Sequence, residues 1–198
     1  LVCAGSKDGK ILWTSDVQPK LPEEDTIREG HGYASSTPTA DSERIYCFFG
    51  KSGVISFHLD GSQSWRAGVG EKTSGWGSAA SPVLHRDLLI VNASVESESL
   101  VALNKATGKE VWRAGGIKES WNTPIIASLG GGKEELVLAV HGKVLGFDPG
   151  SGEQLWSCAT DIGWYMVPSL LSHDGIVYCI GGRNTGGSLA VRAGGRGD

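Results

Sequence analysis

Three short stretches hold residue types that catalysis or ligand capture would use. Residues 172–174, Ser-His-Asp, gather the hydroxyl, imidazole and carboxylate of a nucleophilic triad. Triad members converge from separated positions, so adjacency works against that chemistry, and Asp174-Gly175 reads as a turn between strands. Residues 68–73, GVGEKT, approach a phosphate-binding loop, but the upstream glycine and the Gly-Lys junction are missing. The SGWGSAASP that follows cannot supply the helix such a loop needs. Residues 196–198, Arg-Gly-Asp, end a glycine-rich turn and read as structural. Asn92-Ala93-Ser94 is a formal glycosylation sequon in or beside a strand. None of these is assigned as catalytic.

Metal and redox chemistry have no better footing. Cys3, Cys47, Cys158 and Cys179 are far apart, with no C-x-x-C spacing, and read as buried small hydrophobes with the disulfide question open. His58, His85, His141 and His173 fall in strands or turns. No acidic set stands out as a calcium site, which wants six or more converging oxygens. The sharper pattern is aromatic. Tyr33, Trp76, Trp121 and the pair Trp164-Tyr165 each stand a few residues before a proline, at Pro38, Pro82, Pro124 and Pro168. His31 sits just ahead of the first. Brought together, these rings would take a planar ligand, a sugar or a peptide side chain; they would equally serve to pack beneath loops.

The elements that would position them repeat. DGKILW (8–13), DGSQSW (60–65), TGKEVW (107–112) and SGEQLW (151–156) place Gly9, Gly61, Gly108 and Gly152 four residues before Trp13, Trp65, Trp112 and Trp156. Each frame reads as a β-hairpin: an apolar strand, a Gly/Asp/Asn/Ser turn, and a strand carrying tryptophan. Ahead of each complete frame come a proline-led strand and an apolar, β-branched strand such as DLLIVNAS or ELVLAVHG. Four strands per unit, with tryptophans recurring 44 to 52 residues apart, are the mark of a β-propeller blade.

The expectation is therefore an all-β, partial propeller over 1–198, with 1–14 the end of a blade, 33–66, 76–113 and 120–157 whole blades, and 164–193 an incomplete one. A turn of helix is expected only in the long 14–32 connection. Thirty glycines suit many tight turns. A net charge of −4 argues against nucleic acid, and no stretch approaches the roughly 18 apolar residues of a membrane helix.

The x-G-K-x-x-W hairpin with its VALNKATG-type strand resembles the pyrroloquinoline-quinone-like propeller repeat, in which a tryptophan docks between blades. YASSTPTADSERIYCFFGKSGVISFHLDG and SLAVRAGGRGD are similar to a bacterial group of secreted repeat proteins. That group is related to the propeller lipoprotein of the outer-membrane β-barrel assembly machinery. The resemblance implies docking roles for the four tryptophans and four glycines. It implies a periplasmic or extracellular scaffold that binds a protein, peptide or glycan at one face and the channel mouth, alongside the remaining blades of the same propeller. The alternative is a dehydrogenase domain using pyrroloquinoline quinone and calcium, and a second is the sensor domain of a larger protein. The quinoprotein dehydrogenases carry an adjacent Cys-Cys pair that this sequence lacks, so no cofactor is expected in this chain.

Overall fold

The computed structural model describes residues 1–20, 34–118, 120–163, 166–183 and 186–198. Its seventeen strands form five antiparallel sheets in chain order. The first pairs β1 (Val2–Ala4) with β2 (Ile11–Thr14). The second runs β3 (Thr39–Ala40), β4 (Arg44–Phe48), β5 (Val54–His58) and β6 (Gln63–Ala67). The third is β7 (Val83–His85), β8 (Leu88–Ala93), β9 (Ser99–Asn104) and β10 (Glu110–Gly115). The fourth is β11 (Ile125–Gly130), β12 (Lys133–Val140), β13 (Lys143–Phe147) and β14 (Gln154–Ala159). The last is β15 (Leu171–His173), β16 (Ile176–Gly181) and β17 (Gly187–Arg192). Strand order within every sheet follows the sequence, so each is a simple meander of hairpins. This is the β-propeller architecture, in part.

The central strands are apolar on both faces because both faces are covered. Along β8, Leu89, Val91 and Ala93 pack toward the second sheet and Ile90 toward the fourth. Along β12, Leu136, Leu138 and Val140 face the third sheet while Val137 and Ala139 face the fifth. Alternate side chains point to opposite faces of a strand, so a run buried twice reads as continuous rather than alternating. The core is thus divided into layers between neighbouring sheets. One further residue joins each of three layers from the segment after the tryptophan strand: Val69, Ile117 and Ile162, each almost fully buried.

All four glycine-tryptophan hairpins share one irregularity. The tryptophan pairs with a small residue, as Cys3↔Trp13, Ser56↔Trp65, Ala102↔Trp112 and Gly146↔Trp156. The next pairs are Ala4↔Ile11, Phe57↔Gln63, Leu103↔Glu110 and Phe147↔Gln154, so Leu12, Ser64, Val111 and Leu155 are extra residues in a β-bulge. The bulge residue Val111 is 53% exposed beside the buried Trp112.

Among the described residues helix is confined to two short pieces, a 3₁₀ turn at Gly50–Ser52 and α1 at Ser94–Ser97; most of the 14–32 connection, where a helical turn is expected, lies outside the described residues. Sequence reading placed Ser94 in a strand; instead the chain coils for one turn and leaves it through Glu98, whose φ of 53° is left-handed. Among the described residues, no helix is long and apolar enough to cross a membrane.

Replacing Trp112 with alanine should lower unfolding stability by about 3–5 kcal/mol. Val111→Ala, at the exposed bulge next to it, should change stability by no more than about 0.5 kcal/mol. Urea denaturation midpoints of the two variants check this; equal midpoints would remove the indole from the stabilising contacts.

Candidate functional site

Each complete sheet is entered through a short segment ending at a proline, and these lead segments are bonded to one another. The Thr37 N–H donates to Ser81 Oγ at 2.9 Å, and the Ser81 N–H donates to Thr123 Oγ1 at 2.9 Å. The three residues occupy the same position, immediately before Pro38, Pro82 and Pro124. The next equivalent is Val167, which has no hydroxyl. There the connection changes chemistry: the Trp121 N–H donates to the Met166 carbonyl at 2.9 Å, and Ser120 and Met166 form a parallel β-bridge.

Under this seam lies a buried polar cluster. Asn92 Nδ2 donates to the Ser120 carbonyl, Ser120 Oγ and the Asn122 carbonyl, at 3.0 to 3.2 Å. Asn92 Oδ1 accepts the Ser94 N–H, and Ser94 Oγ donates to the Ser120 carbonyl. Asn122 Nδ2 reaches the carbonyls of Ala139 at 2.6 Å and Met166 at 3.1 Å. Buried polar groups are costly unless bonded, and here the two amides bond the third, fourth and fifth sheets together. The sequence marks Asn92 only as a formal sequon and gives Asn122 no role. The one available signal was a polar residue inside the apolar run LLIVNAS. Because the Asn92 amide is consumed and the residue is only 2% exposed, the sequon is not available for glycosylation.

Trp76 and Trp121 are both half-buried on these lead segments. The Trp121 indole N–H donates to the Gly77 carbonyl at 3.1 Å, which brings the ring to the residue next to Trp76 in the neighbouring segment. Tyr33, Trp164, Tyr165 and His31 lie outside the described residues.

The tryptophans of the hairpins sit on the adjacent sheet. Trp13 Nε1 donates to the Leu59 carbonyl, Trp65 Nε1 to that of Lys105 and Trp112 Nε1 to that of Pro149, at 3.1 to 3.2 Å. Their rings lie on Gly61, Gly108 and Gly152, where an added Cβ would come within 2.5 to 2.6 Å of the indole. These glycines also hold φ between 73° and 87°, which other residues rarely adopt. Gly9 shares the conformation, with φ 69°, and nothing lies within 4 Å of its Cβ position. Trp156 departs from the pattern. Its ring turns over Gly146 of its own sheet, and Nε1 donates to the buried Glu135 carboxylate at 2.7 Å.

An ion pair reinforces the Trp65 contact. Lys105 Nζ lies 3.1 Å from Asp41 Oδ2, which also accepts from Tyr46 Oη at 3.2 Å. Burial pushes the Asp41 carboxyl up, but the N–H groups of Glu43 and Arg44 and the Lys105 ammonium outweigh it and hold its pKa at about 2. Burial, then the Asp41 charge, raises the Tyr46 hydroxyl. Burial alone raises the Cys179 thiol and is the main cause taking Cys47 to about 11, so neither is a ready nucleophile at neutral pH.

The remaining motifs take structural places. His173 and Asp174 are exposed in the turn between β15 and β16, 3.3 Å apart, with Asp174 left-handed at φ 48°. In 68–73 the N–H groups of Glu71 and Lys72 both donate to the Glu96 carbonyl, so they face an acceptor already in the protein. Arg196 pairs with the buried Glu135 at 3.0 Å, and Gly197 bridges in parallel to Trp156, so the terminal segment is packed along β14. His85 is buried with Nδ1 3.8 Å from Glu134.

The donors among the described residues do not make up a quinone-calcium centre. The four cysteines are unpaired and none is adjacent to another. Asp8, Asp41, Asp60 and Asp148 spend side-chain oxygens on N–H groups of their own turns. Among the described residues no three His, Cys, Asp or Glu side chains converge for a metal.

Residues 1–178 match the family described as "Outer membrane protein assembly factor BamB". The chain belongs to this family. Among solved structures it is similar to BamB from Moraxella catarrhalis, with 18% identity and a TM-score of 0.58 over 81% of this chain and 46% of that one. It is similar to the quinohemoprotein alcohol dehydrogenase of Comamonas testosteroni, with 17% identity and a TM-score of 0.54 over 75% and 29% of the two chains. It also matches the computationally designed Ika4 protein, with 16% identity and a TM-score of 0.55 over 86% and 99%. These likenesses concern the fold, and the chain spans less than half of the BamB structure. A search of curated proteins finds no significant match.

The low Asp41 pKa sets an acid dependence. A carboxyl depressed from 3.8 to about 2 stabilises the fold fully above its unfolded value, and that stability is lost as pH falls toward 2. Asp41→Asn should therefore cost on the order of 1–2 kcal/mol near neutrality and show a shallower fall between about pH 4 and 2. Chemical denaturation across that range measures it.

Proposed function

We propose that this chain is part of a non-enzymatic propeller scaffold that binds a protein or peptide partner across the lead segments of its sheets. Trp76 and Trp121 are the contact residues. The carrying observation is the Trp121 indole bonded to the Gly77 carbonyl at the seam between two sheets. That bond fixes the ring and uses its only donor, so the ring is left to act as an apolar platform. A preset aromatic loses little freedom on binding, which favours affinity.

Membership of a family described as an assembly factor supports a protein partner over a reaction, and its outer-membrane description supports a periplasmic setting. The outward faces of the first and last sheets support a second kind of partner. Val2, Leu12, Leu171 and Ile180 are 61–69% exposed there. We assign these faces to further blades of the same repeat, in keeping with the 46% share of BamB that the chain spans.

Photo-crosslinking residues placed at 76 and 121 should yield protein adducts in the host cell, while the same residue at the exposed bulge position 111 should not. Carbohydrate-only adducts would move the partner class to glycans, and equal adducts at 111 would remove the site. Titration with pyrroloquinoline quinone and Ca²⁺ should give no saturable absorbance change. A saturable, calcium-dependent one would replace the scaffold reading with the dehydrogenase.

A further inference from the structure

Two of the four hairpins carry a residue that the repeat does not require. Trp13 and Trp156 are followed by Thr14 and Ser157, whereas Trp65 and Trp112 are followed by Arg66 and Arg113. Both arginines line one groove of about 670 Å³, together with Lys20, Lys51, Glu71 and Gly68. Four cations and one carboxylate thus face a single groove on a chain of net charge −4.

The charges are held in different ways. Glu71 is ion-paired with Lys20. Arg113 pairs with Glu110 at 2.7 Å, and its Nη1 donates to Ser97 and Ser99 hydroxyls and to the Val69 carbonyl. Arg66 is different. Its Nε and Nη2 donate to the Ser52 carbonyl at 2.9 and 2.6 Å, and Nη1 to the Gln18 carbonyl at 2.8 Å. Carbonyl oxygens orient the guanidinium but carry no net charge, so its positive field remains directed into the groove. The cations come from separate elements and share no acceptor among these bonds, which suits several carboxylates along a chain better than one compact anion. Gly68 forms an open part of the wall, since a Cβ there would have nothing within 4 Å.

We propose that this groove docks an acidic peptide segment of the protein partner, with its carboxylates facing Arg66 and Lys51. The inference rests on the protein-binding reading above and adds a second, charged contact to the aromatic one. Arginine suits carboxylates because its planar fork matches their geometry.

The test is fluorescence polarisation of a labelled hexaglutamate peptide with the 198-residue chain. Saturable binding is expected at about 50 mM salt and its loss at about 0.5 M. Gly68→Glu and Lys51→Glu should each weaken binding at least about tenfold. Arg192→Glu, a charge reversal on the last sheet, should leave it within about twofold. Urea midpoints confirm that the variants are folded. Absence of binding, or binding indifferent to both groove variants, would overturn the proposal. So would stronger competition by a heparin-derived hexasaccharide than by hexaglutamate, which would give the groove to a sulfated glycan. If the groove fails while crosslinks persist at 76 and 121, the scaffold reading stands without it; if the crosslinks fail too, both fall.

Discussion

An indole resting on a glycine of the next sheet is the contact on which the array depends. The glycine answers two demands at one position. The hairpin turn needs a left-handed residue, and the incoming ring needs the space a Cβ would fill. Gly61, Gly108 and Gly152 meet both, and substitution at any of them would strain the backbone and displace a tryptophan together. The indole N–H then finds a carbonyl in the same turn, so a large apolar body is buried with its single donor satisfied. Between these contacts and the bonded lead segments, the interior of each interface is side-chain packing. Order therefore passes along the chain from one sheet to its neighbour, as in other repeat proteins.

That nearest-neighbour logic also places the candidate site. The lead segments are bonded between sheets through Thr37, Ser81 and Thr123, and then through Trp121 and Met166. Their relative positions are set only once the sheets have docked. Trp121 and Gly77 belong to different lead segments, so the position of this indole is a property of the seam rather than of either blade. Asn92 and Asn122 serve the same end from beneath, filling with hydrogen bonds a space that apolar side chains fill elsewhere. Such a network specifies one arrangement of three sheets, because any slip would leave buried amides unpaired.

The fold was legible because its signals are local. A glycine four residues before a tryptophan fixes a turn, and a proline followed by an apolar run fixes the start of a sheet; both survive in a bare sequence. What escaped reading depends on pairing between distant segments. Val69, Ile117 and Ile162 do the same job at four, five and six residues past the tryptophan, so no fixed spacing betrays them. The asparagine cluster joins positions 28 to 44 residues apart. The turn at Ser94–Ser97 was missed because its serines and single valine look like the fraying end of a strand. For the aromatic rim, the sequence indicated which rings precede each proline. It could not indicate that Trp121 would spend its donor on the neighbouring segment.

A repeat supplies its own control, since any position can be compared with its equivalents in the same chain. Where all copies agree, as at the glycine-tryptophan frame, the residue answers to the fold. Where they differ without structural need, the difference points to function. Thr14 and Ser157 show that the position after tryptophan accepts small hydroxyls, so the repeat itself does not demand an arginine there, although Arg66 and Arg113 bond their own blades. Trp156 illustrates the opposite case. It approaches the Cβ position of Gly195 in the following turn only at 4.0 Å, and Glu135 accepts its N–H while also binding Gly194 and Arg196. That departure repairs a docking contact, and it explains why a carboxylate is buried there at all. Arg113 is neutralised by Glu110, whereas Arg66 is oriented by the neutral carbonyls of Ser52 and Gln18 and keeps its charge toward the groove.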